Sequence, residues 1–305
     1  MAQAGSISVC IATYRRPDRL ARVLHDLARQ ALLPAEVVVV DNDASGSAAD
    51  VVREFLSSGP PFPVHYDSQL VKNISLTRNR TVAIASGEWL AFIDDDERAP
   101  AAWLQQLTAA RDAYSADGVL GPVIPLVPAD APAWIRRGNF YDFPRMPTGS
   151  VVPPNRLRFG NILLHGPMLR QLGAPFDPAY GSTGGEDGDL LSRLALQGAK
   201  LVWCDHAIVE EPIEASRLSL KWLLRRSLRG GQDYARHLLC GRYGVRQAGR
   251  LRLLLRALLQ LLVAGSLAVL ALPFGRHHAV RWLTRASANL GKLSVFFGWH
   301  YREYA

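Results

Sequence analysis

Residues 89–97 read Trp-Leu-Ala-Phe-Ile-Asp-Asp-Asp-Glu, an apolar run that ends in four consecutive acids. The run predicts a buried strand, with Asp94, Asp95 and Asp96 at its carboxyl end. Adjacent carboxylates repel one another and are costly to desolvate without a partner. A divalent cation with oxygen ligands, Mg²⁺ or Mn²⁺, is the simplest partner, and such ions commonly bridge substrate phosphates. A solvated acidic turn is the other interpretation of this cluster taken alone.

Two further apolar runs lie upstream, at residues 6–12 and 36–40, with a helical pattern beginning at Pro17 between them. Continuous apolar strands that alternate with helices predict an α/β fold with a parallel sheet covered on both faces. Residues 125–158 are rich in Pro, Gly and aromatic residues and are expected to be irregular. Helical spacing predicts helices at 48–56, 74–85, 103–114 and 190–196, and apolar runs predict strands at 64–66, 119–123, 158–164 and 200–203.

Other polar clusters follow or flank these elements. Asp41 and Asp43 come after the second strand, where carboxylates accept hydrogen bonds from a base or from ribose hydroxyls; a hydrogen-bonded turn is the alternative. Arg78 offers a planar fork to a base or phosphate, or else belongs to a solvated helix face. Residues 184–187 read GGED, and their acids Glu186 and Asp187 suit either a general base or the start of a helix.

Composition limits the class of protein. The chain has 305 residues, of which 49% are hydrophobic and 20% charged, so a sizeable core is expected and disorder is not. No N-terminal signal peptide is visible. The three cysteines are far apart and lack metal-type spacing, which favours a reducing, cytosolic setting.

Positive charge is concentrated in the C-terminal third. Residues 214–305 carry 16 Lys and Arg against 3 acids, whereas residues 1–213 carry 19 against 24. We therefore expect a domain over 1–213 and a basic, apolar helical region over 214–305. A basic region of this kind indicates an anionic partner, either nucleic acid or the headgroups of a cytoplasmic leaflet.

Residues 253–273 approach the length of a membrane span, but Arg256 and Gln260 interrupt the run, and basic residues flank both ends. Since positive charge normally stays on the cytoplasmic side, both flanks prefer the same side. A re-entrant hairpin or in-plane amphipathic helices fit better than a single crossing. A helical subdomain or an oligomer interface is the remaining alternative.

Taken together, the motifs resemble family 2 glycosyltransferases with the GT-A fold. The matching segments span residues 6 to about 197, and the GGED form with a basic, apolar tail is most similar to exopolysaccharide sugar transferases of the succinoglycan type. The segments are ISVCIATYRRPDRL, EVVVVDNDAS, NISLTRNR, EWLAFIDDDE, FGNILL and STGGEDGDLLSRL. The resemblance implies a Rossmann-like, mostly parallel sheet flanked by helices.

The resemblance also implies a role for each matching residue. For the nucleotide sugar, Thr13 and Tyr14 would line the nucleotide pocket, Asp41 with Asp43 would contact base or ribose, and Arg78 would lie beside the base. Asp94 and Asp96 would be the two outer acids of the D-x-D motif at the metal, with Asp96 as the direct ligand, and Asp95 would face ribose or the diphosphate. Asp187 would be the general base, Glu186 would hold the acceptor or orient the site, and Arg217 would contact the departing diphosphate.

The expected reaction is an inverting, metal-dependent transfer of one sugar from a nucleotide-diphosphate sugar, UDP-linked by resemblance, to a polyprenyl-diphosphate-linked saccharide. The chain lacks the Q-x-x-R-W motif of processive synthases, which favours a single addition. The expected location is the cytoplasmic face of a bacterial inner membrane, on an anionic surface and without nucleic acid. The alternatives are a sugar-phosphate nucleotidyltransferase and a non-enzymatic, basic nucleic-acid-binding protein.

Overall fold

The computed structural model describes residues 5–243 and 249–303. The chain forms two compact units, one from residues 5–124 and 143–211 and the other from residues 125–142 and 212–303. Numbered along the chain, the strands are β1 Ile7–Thr13, β2 Glu36–Asp41, β3 Val64–Ser68, β4 Trp89–Phe92, β5 Gly118–Leu120, β6 Val123–Leu126, β7 Ile162–His165, β8 Leu201–Trp203 and β9 Val209–Pro212.

The α-helices of the first unit are α1 Pro17–Leu27, α2 Ala49–Ser57, α3 Ile74–Ile84, α4 Trp103–Tyr114, α6 Gly166–Arg170 and α7 Glu186–Leu196. Those of the second unit are α5 Ala133–Arg136, α8 Leu220–Leu239, α9 Arg250–Leu270 and α10 Arg276–Ser294. A short 3-10 turn, Ala215–Arg217, precedes α8.

The main sheet has the strand order β3-β2-β1-β4-β7-β5-β8, and β6 pairs with β9 in a separate sheet. Parallel pairing joins β1 to β2 and β4, β2 to β3, and β5 to β8. Strand β7 runs antiparallel to β4 and β5. The predicted α/β fold with a mostly parallel sheet is therefore confirmed, with one internal antiparallel strand that the apolar pattern did not reveal.

Apolar side chains alternate between the two faces of this sheet. Val9 and Ile11 of β1 pack on one side with Leu24 of α1, while Cys10 packs on the other with Phe92. Both faces are buried, as continuous apolar strands of a parallel sheet require. Since β1, β2 and β4 are parallel, their carboxyl ends meet at one edge, where Thr13 lies opposite Asp41.

Three element boundaries differ clearly from expectation, and one of them is the start of β7, which lies at Ile162 and not at residue 158. The strand predicted at 119–123 is divided between β5 and β6, because Pro122 has no N–H for the ladder and the Gly121 N–H donates instead to the carbonyl of Asn161. The helix predicted at 190–196 begins earlier, at Glu186. The GGED motif therefore forms a helix N-terminus rather than a loop before one.

The second unit is built around three long helices. Helix α10 packs closely on α8, since a Cβ at Gly231 of α8 would lie 1.9 Å from the carbonyl oxygen of Ala288. Residues 125–142 belong to this unit, and Ile135 and Tyr141 are buried in a cluster with Leu223 and Val280. The membrane association predicted for 214–305 stays a prediction. The compact unit that contains the C-terminal helices also includes 125–142.

Candidate active site

Asp95 ties the end of β1 to the acidic segment that follows β4. Thr13 donates its hydroxyl to Oδ2 of Asp95 over 2.8 Å, and Arg16 donates to Oδ1 over 2.9 Å. Burial raises the pKa of Asp95 to about 6, although the charge of Arg16 opposes this shift. Asp95 is thus a buried carboxylate that fixes one strand end against another.

Asp96 is held from the first turn of α1. Arg16 lies 3.1 Å and Arg19 3.4 Å from Oδ2 of Asp96. Pro17 provides the fixed backbone angle of the first helical turn, and this turn carries both arginines toward the acids. The two guanidinium groups offset part of the negative charge of the D-x-D segment.

Arg78 connects that segment to the GGED motif. Its guanidinium donates to Oε1 of Glu186 over 2.6 Å and to Oδ1 of Asp94 over 3.2 Å. The same group lies 4.6 Å from the centroid of the Phe159 ring, within cation–π range. Arg78 and Glu186 are both buried. Each charge neutralises the other, and either one would be costly to bury without its partner.

Asp94, Asp96 and Asp187 are electrostatic neighbours. Burial raises the pKa of Asp94, and the charges of Asp96 and Asp187 raise it further against the opposing effect of Arg78. Asp187 lies in the first turn of α7, where its Oδ1 accepts the N–H of Gly188 over 2.7 Å. The acids of the two motifs therefore converge at the sheet edge.

Glu97 and Gly160 contribute to this site but, like Arg16 and Arg19, were not among the predicted site residues. Glu97 accepts the N–H of Asp94 over 3.0 Å, and burial raises the pKa of Glu97 well above its usual value. Gly160 has φ +97°, and a Cβ there would lie 2.9 Å from Oε1 of Glu97 and 3.2 Å from Oδ2 of Asp94. Glu97 and Gly160 lie in the segments WLAFIDDDE and FGNILL, which already stand out in the sequence. Membership of these segments is the sequence signal that could have identified them.

The acids after β2 organise their own loop. Asp41 is fully buried and accepts the N–H groups of Asp43 and Ala48 over 2.9 and 2.8 Å. Hydrogen bonds from Arg15 and Ser45 lower the pKa of Asp43 to about 2. These hydrogen bonds hold the loop that follows β2. Contact of Asp41 and Asp43 with a base or a ribose stays a prediction.

The neighbouring Tyr14 and Asn42 form the rest of this edge. The ammonium of Lys72 lies 4.8 Å from the ring centroid of Tyr14. Asn42 donates to the carbonyl of Val71 over 2.7 Å and accepts the N–H of Asn73, which caps α3. Asn42, which was not among the predicted site residues, therefore positions the start of the helix that carries Arg78.

Arg217 belongs to the second unit. It ends the 3-10 turn before α8, its carbonyl accepts the hydroxyl of Tyr141 over 2.8 Å, and its guanidinium lies 5.8 Å from the centroid of the Trp222 ring. Its contact with a diphosphate stays a prediction.

The acids suit a hard cation that arrives with a phosphorylated ligand. Within residues 5–243 and 249–303, no group of three or more His, Cys, Asp or Glu side chains is arranged to hold a metal ion. Mg²⁺ is commonly held by one or two carboxylates together with substrate phosphates and waters. The oxygen donors of Asp94 and Asp96 fit such a shared site, as do the burial of Asp94 and the neighbouring charge of Asp96, which raise the pKa of Asp94.

Comparisons with known proteins agree on one family. A model described as Glycosyl transferase family 2 matches residues 8–157. The succinoglycan biosynthesis protein ExoM of Rhizobium meliloti (strain 1021) is 36% identical over 253 residues, covering 81% of this chain and 80% of that protein. The galactofuranosyltransferase GlfT1 of Mycobacterium tuberculosis is 34% identical over 128 residues, 40% of each chain.

Solved structures support the same fold. The mannosyltransferase PcManGT from Pyrobaculum calidifontis, in complex with GDP-Man and Mn²⁺, has a TM-score of 0.66 at 18% identity and covers 98% of this chain and 88% of its own. S. aureus TarS 1-349 in complex with UDP has a TM-score of 0.54 at 16% identity, over 97% and 93%. The chain therefore belongs to glycosyltransferase family 2, has the GT-A fold and is a glycosyltransferase similar to an exopolysaccharide biosynthesis protein.

Proposed function

We propose that this glycosyltransferase moves one sugar from a nucleotide-diphosphate sugar to a polyprenyl-diphosphate-linked saccharide, with inversion at the anomeric carbon. The observation that carries the proposal is the pair of ion contacts by which Arg78 joins Asp94 to Glu186, the neighbour of Asp187, at the sheet edge where β1 and β4 end. Family membership disfavours both alternatives, the nucleotidyltransferase and the nucleic-acid-binding protein.

In this proposal Asp187 removes the proton from the attacking hydroxyl of the acceptor. That oxygen attacks the anomeric carbon from the face opposite the diphosphate, so an α-linked donor yields a β-glycoside. Arg78 holds Glu186 at its position beside Asp187, and Glu186 orients the acceptor. A general base must lie within hydrogen-bond reach of the proton that it removes, and this is the role proposed here for the Asp187 carboxylate.

Asp96 and Asp94 would hold a divalent metal, Mg²⁺ or Mn²⁺, together with the donor. When bound, the ion would neutralise charge that develops on the diphosphate leaving group. Thr13, Tyr14 and Asp95 would surround the nucleotide. UDP is proposed as the carrier; complexes of fold neighbours with UDP, UDP-GlcNAc and GDP-Man are consistent with a nucleotide-sugar donor.

The proposed location is the cytoplasmic face of a bacterial inner membrane. Support comes from the exopolysaccharide role in the name of the relative ExoM and from the basic excess of residues 214–305. A lipid-linked acceptor keeps its reactive sugar near the bilayer, so an enzyme at the membrane surface meets it at high local concentration.

The test is the variant Asp187→Asn, which keeps the size of the side chain but removes its basicity. We expect donor affinity within about threefold of the original and transfer reduced by on the order of 10²-fold or more. Calorimetric titration with UDP-sugars and Mn²⁺ measures the first, and release of UDP in the presence of acceptor measures the second.

Glu54→Gln is the matched control, since it removes the same charge from an exposed position on α2. The control should bind and transfer normally. Near-normal turnover of Asp187→Asn would show that another group is the base. An α-glycosidic product from an α-linked donor, identified by NMR, would instead contradict inversion.

A further inference from the structure

Helix α9 has two contrasting faces. Its buried residues Leu253, Ala257, Ala264 and Ala268 recur at helical spacing and form the face that packs inside the second unit. The opposite face, which we call the leucine face, is exposed to solvent. It consists of Leu255, Leu259, Leu262, Val269 and Leu270, and it continues beyond the helix to Phe274.

The size of this exposed surface needs an explanation. Leu262 is 70% and Phe274 77% exposed. In the described part of the chain α9 is the one helix long and apolar enough to cross a membrane, yet only 22% of its most apolar window is buried. A core helix of that composition would be mostly covered. Contiguous exposed apolar surface of this kind marks an interaction site.

Charge around the leucine face identifies its occupant. Residues 249–302 contain no Asp or Glu and 8 Lys and Arg. Arg252 and Arg256 are exposed in the first two turns of α9. Beyond its other end, Arg276, His278 and Arg281 are exposed at the start of α10. An apolar face with exposed arginines at both ends matches the acyl chains and anionic headgroups of a phospholipid leaflet.

The packing of α10 decides how α9 meets the leaflet. Residues 271–275 join the two helices, and Val280 and Ala279 of α10 are buried. A Cβ at Gly291 of α10 would lie 2.0 Å from the carbonyl oxygen of Leu228, so α10 is fixed on α8. If α9 crossed the bilayer, α10 would either enter the membrane with its exposed Arg281 and Arg285 or lose its packing against α8. Both outcomes are costly.

We propose that the leucine face of α9, with Phe274, lies within the interfacial layer of an anionic leaflet, with α9 parallel to the membrane and not across it. The second unit is then a monotopic membrane anchor. This anchor extends the proposed function, because it assigns the surface that brings the transferase to a lipid-linked acceptor. The membrane contact itself is testable without transfer.

Vesicle flotation of the full chain tests the contact. Wild type should float with vesicles of phosphatidylglycerol and phosphatidylcholine, and much less with phosphatidylcholine alone. The variant Leu259→Asn/Leu262→Asn should bind weaker by on the order of tenfold, since it removes apolar area from the leucine face. Leu56→Asn, at an exposed leucine of α2 in the first unit, is the matched control and should float like wild type.

The arginines beside the leucine face allow an independent test of the proposal. Arg252→Gln/Arg256→Gln should lower binding to anionic vesicles and leave the weak binding to neutral vesicles unchanged. Equal flotation of wild type and the leucine-face variant would overturn the proposal. So would a wild-type dimer that does not float and becomes monomeric in the leucine-face variant, because a second copy would then cover this face.

The orientation of α9 needs a separate measurement. In a Cys240→Ser background, His278→Cys places one exposed thiol at the start of α10, since Cys10 and Cys204 are buried. With protein added to preformed vesicles, a membrane-impermeant maleimide should label this thiol in the bound state. Protection from the reagent until the vesicles are lysed would show a crossing and overturn the in-plane arrangement.

The two proposals fail in distinguishable ways. Without flotation but with transfer to a short, water-soluble acceptor, the membrane proposal fails and the proposed chemistry stands. With flotation that depends on the leucine face but without transfer to any saccharide acceptor, the proposed chemistry fails and the anchor stands.

Discussion

Arg78 is the residue through which the D-x-D segment and the GGED motif meet. Its guanidinium bonds Asp94 and Glu186, which come from segments far apart in the sequence. A lysine could supply the charge but not the planar fork that reaches two carboxylates. Arg78 therefore positions α7, the helix that carries Glu186 and Asp187, relative to the acids at the strand end.

We expect Arg78→Gln to destabilise the protein by about 3 kcal/mol, because it leaves Glu186 buried without its cationic partner. Glu186→Gln should cost a similar amount, and the double variant should recover part of the loss. Urea denaturation of the four proteins in a double-mutant cycle measures the coupling. Additive effects would show that the pair is not coupled.

The arginines on Asp96 would compete with a bound cation for the same oxygen. Arg16 and Arg19 both contact Oδ2 of Asp96. Because a bound metal must share or replace those contacts, Arg19→Gln should raise the affinity for Mn²⁺ in the absence of nucleotide by several-fold. Paramagnetic resonance of free Mn²⁺ measures this affinity directly.

The control is Arg22→Gln, which removes the same charge from an exposed position on the same helix. It should change Mn²⁺ affinity little, because solvent screens a distant exposed charge. If both variants raise the affinity equally, the effect is general electrostatics and the competition at Asp96 is refuted.

At the scale of elements, two adjacent glycines in α8 differ in what surrounds them. A Cβ at Gly231 would lie 1.9 Å from the backbone of Ala288 in α10, whereas nothing lies within 4 Å of a Cβ at Gly230. Both residues are inside the helix. Gly231 therefore permits close helix packing, and Gly230 has no such role.

Gly231→Ala should destabilise the second unit by about 2 kcal/mol, because backbone atoms of α8 and α10 must separate. Gly230→Ala should instead stabilise it by about 0.5–1 kcal/mol through helix propensity. Thermal unfolding followed by circular dichroism compares the two. A loss of equal size at both positions would contradict close contact between these helices.

Elements were predictable where one local signal decides them. The apolar runs of β1, β2 and β4 and the acids at their ends follow from residue type, and parallel strands bring those ends together. The antiparallel direction of β7 depends on chain routing, which periodicity does not record. Likewise, the pairing of Arg78 with Glu186 is tertiary, so the sequence indicated both residues but not their bond.

At the scale of the whole molecule, residues 125–142 change how the chain can be divided. They interrupt the sequence of the first unit but pack in the second, where Ile135 is 1% and Tyr141 2% exposed. Their buried partners include Ile213, Leu223 and Val280, and the last two lie beyond the predicted boundary at 213. Local composition of 125–142 gave no indication of these partners.

A chain that ends at residue 213 should therefore fold poorly. It would expose Ile135 and Tyr141 while retaining every strand of the main sheet, so we expect low solubility and strong binding of a hydrophobic dye. Replacing residues 126–141 with a short Gly-Ser linker in the same truncated chain should restore solubility, because the uncovered apolar residues are then absent. If the chain of 213 residues is instead soluble, monomeric and cooperatively folded, residues 125–142 do not depend on the C-terminal helices. The predicted boundary would then mark an independent domain.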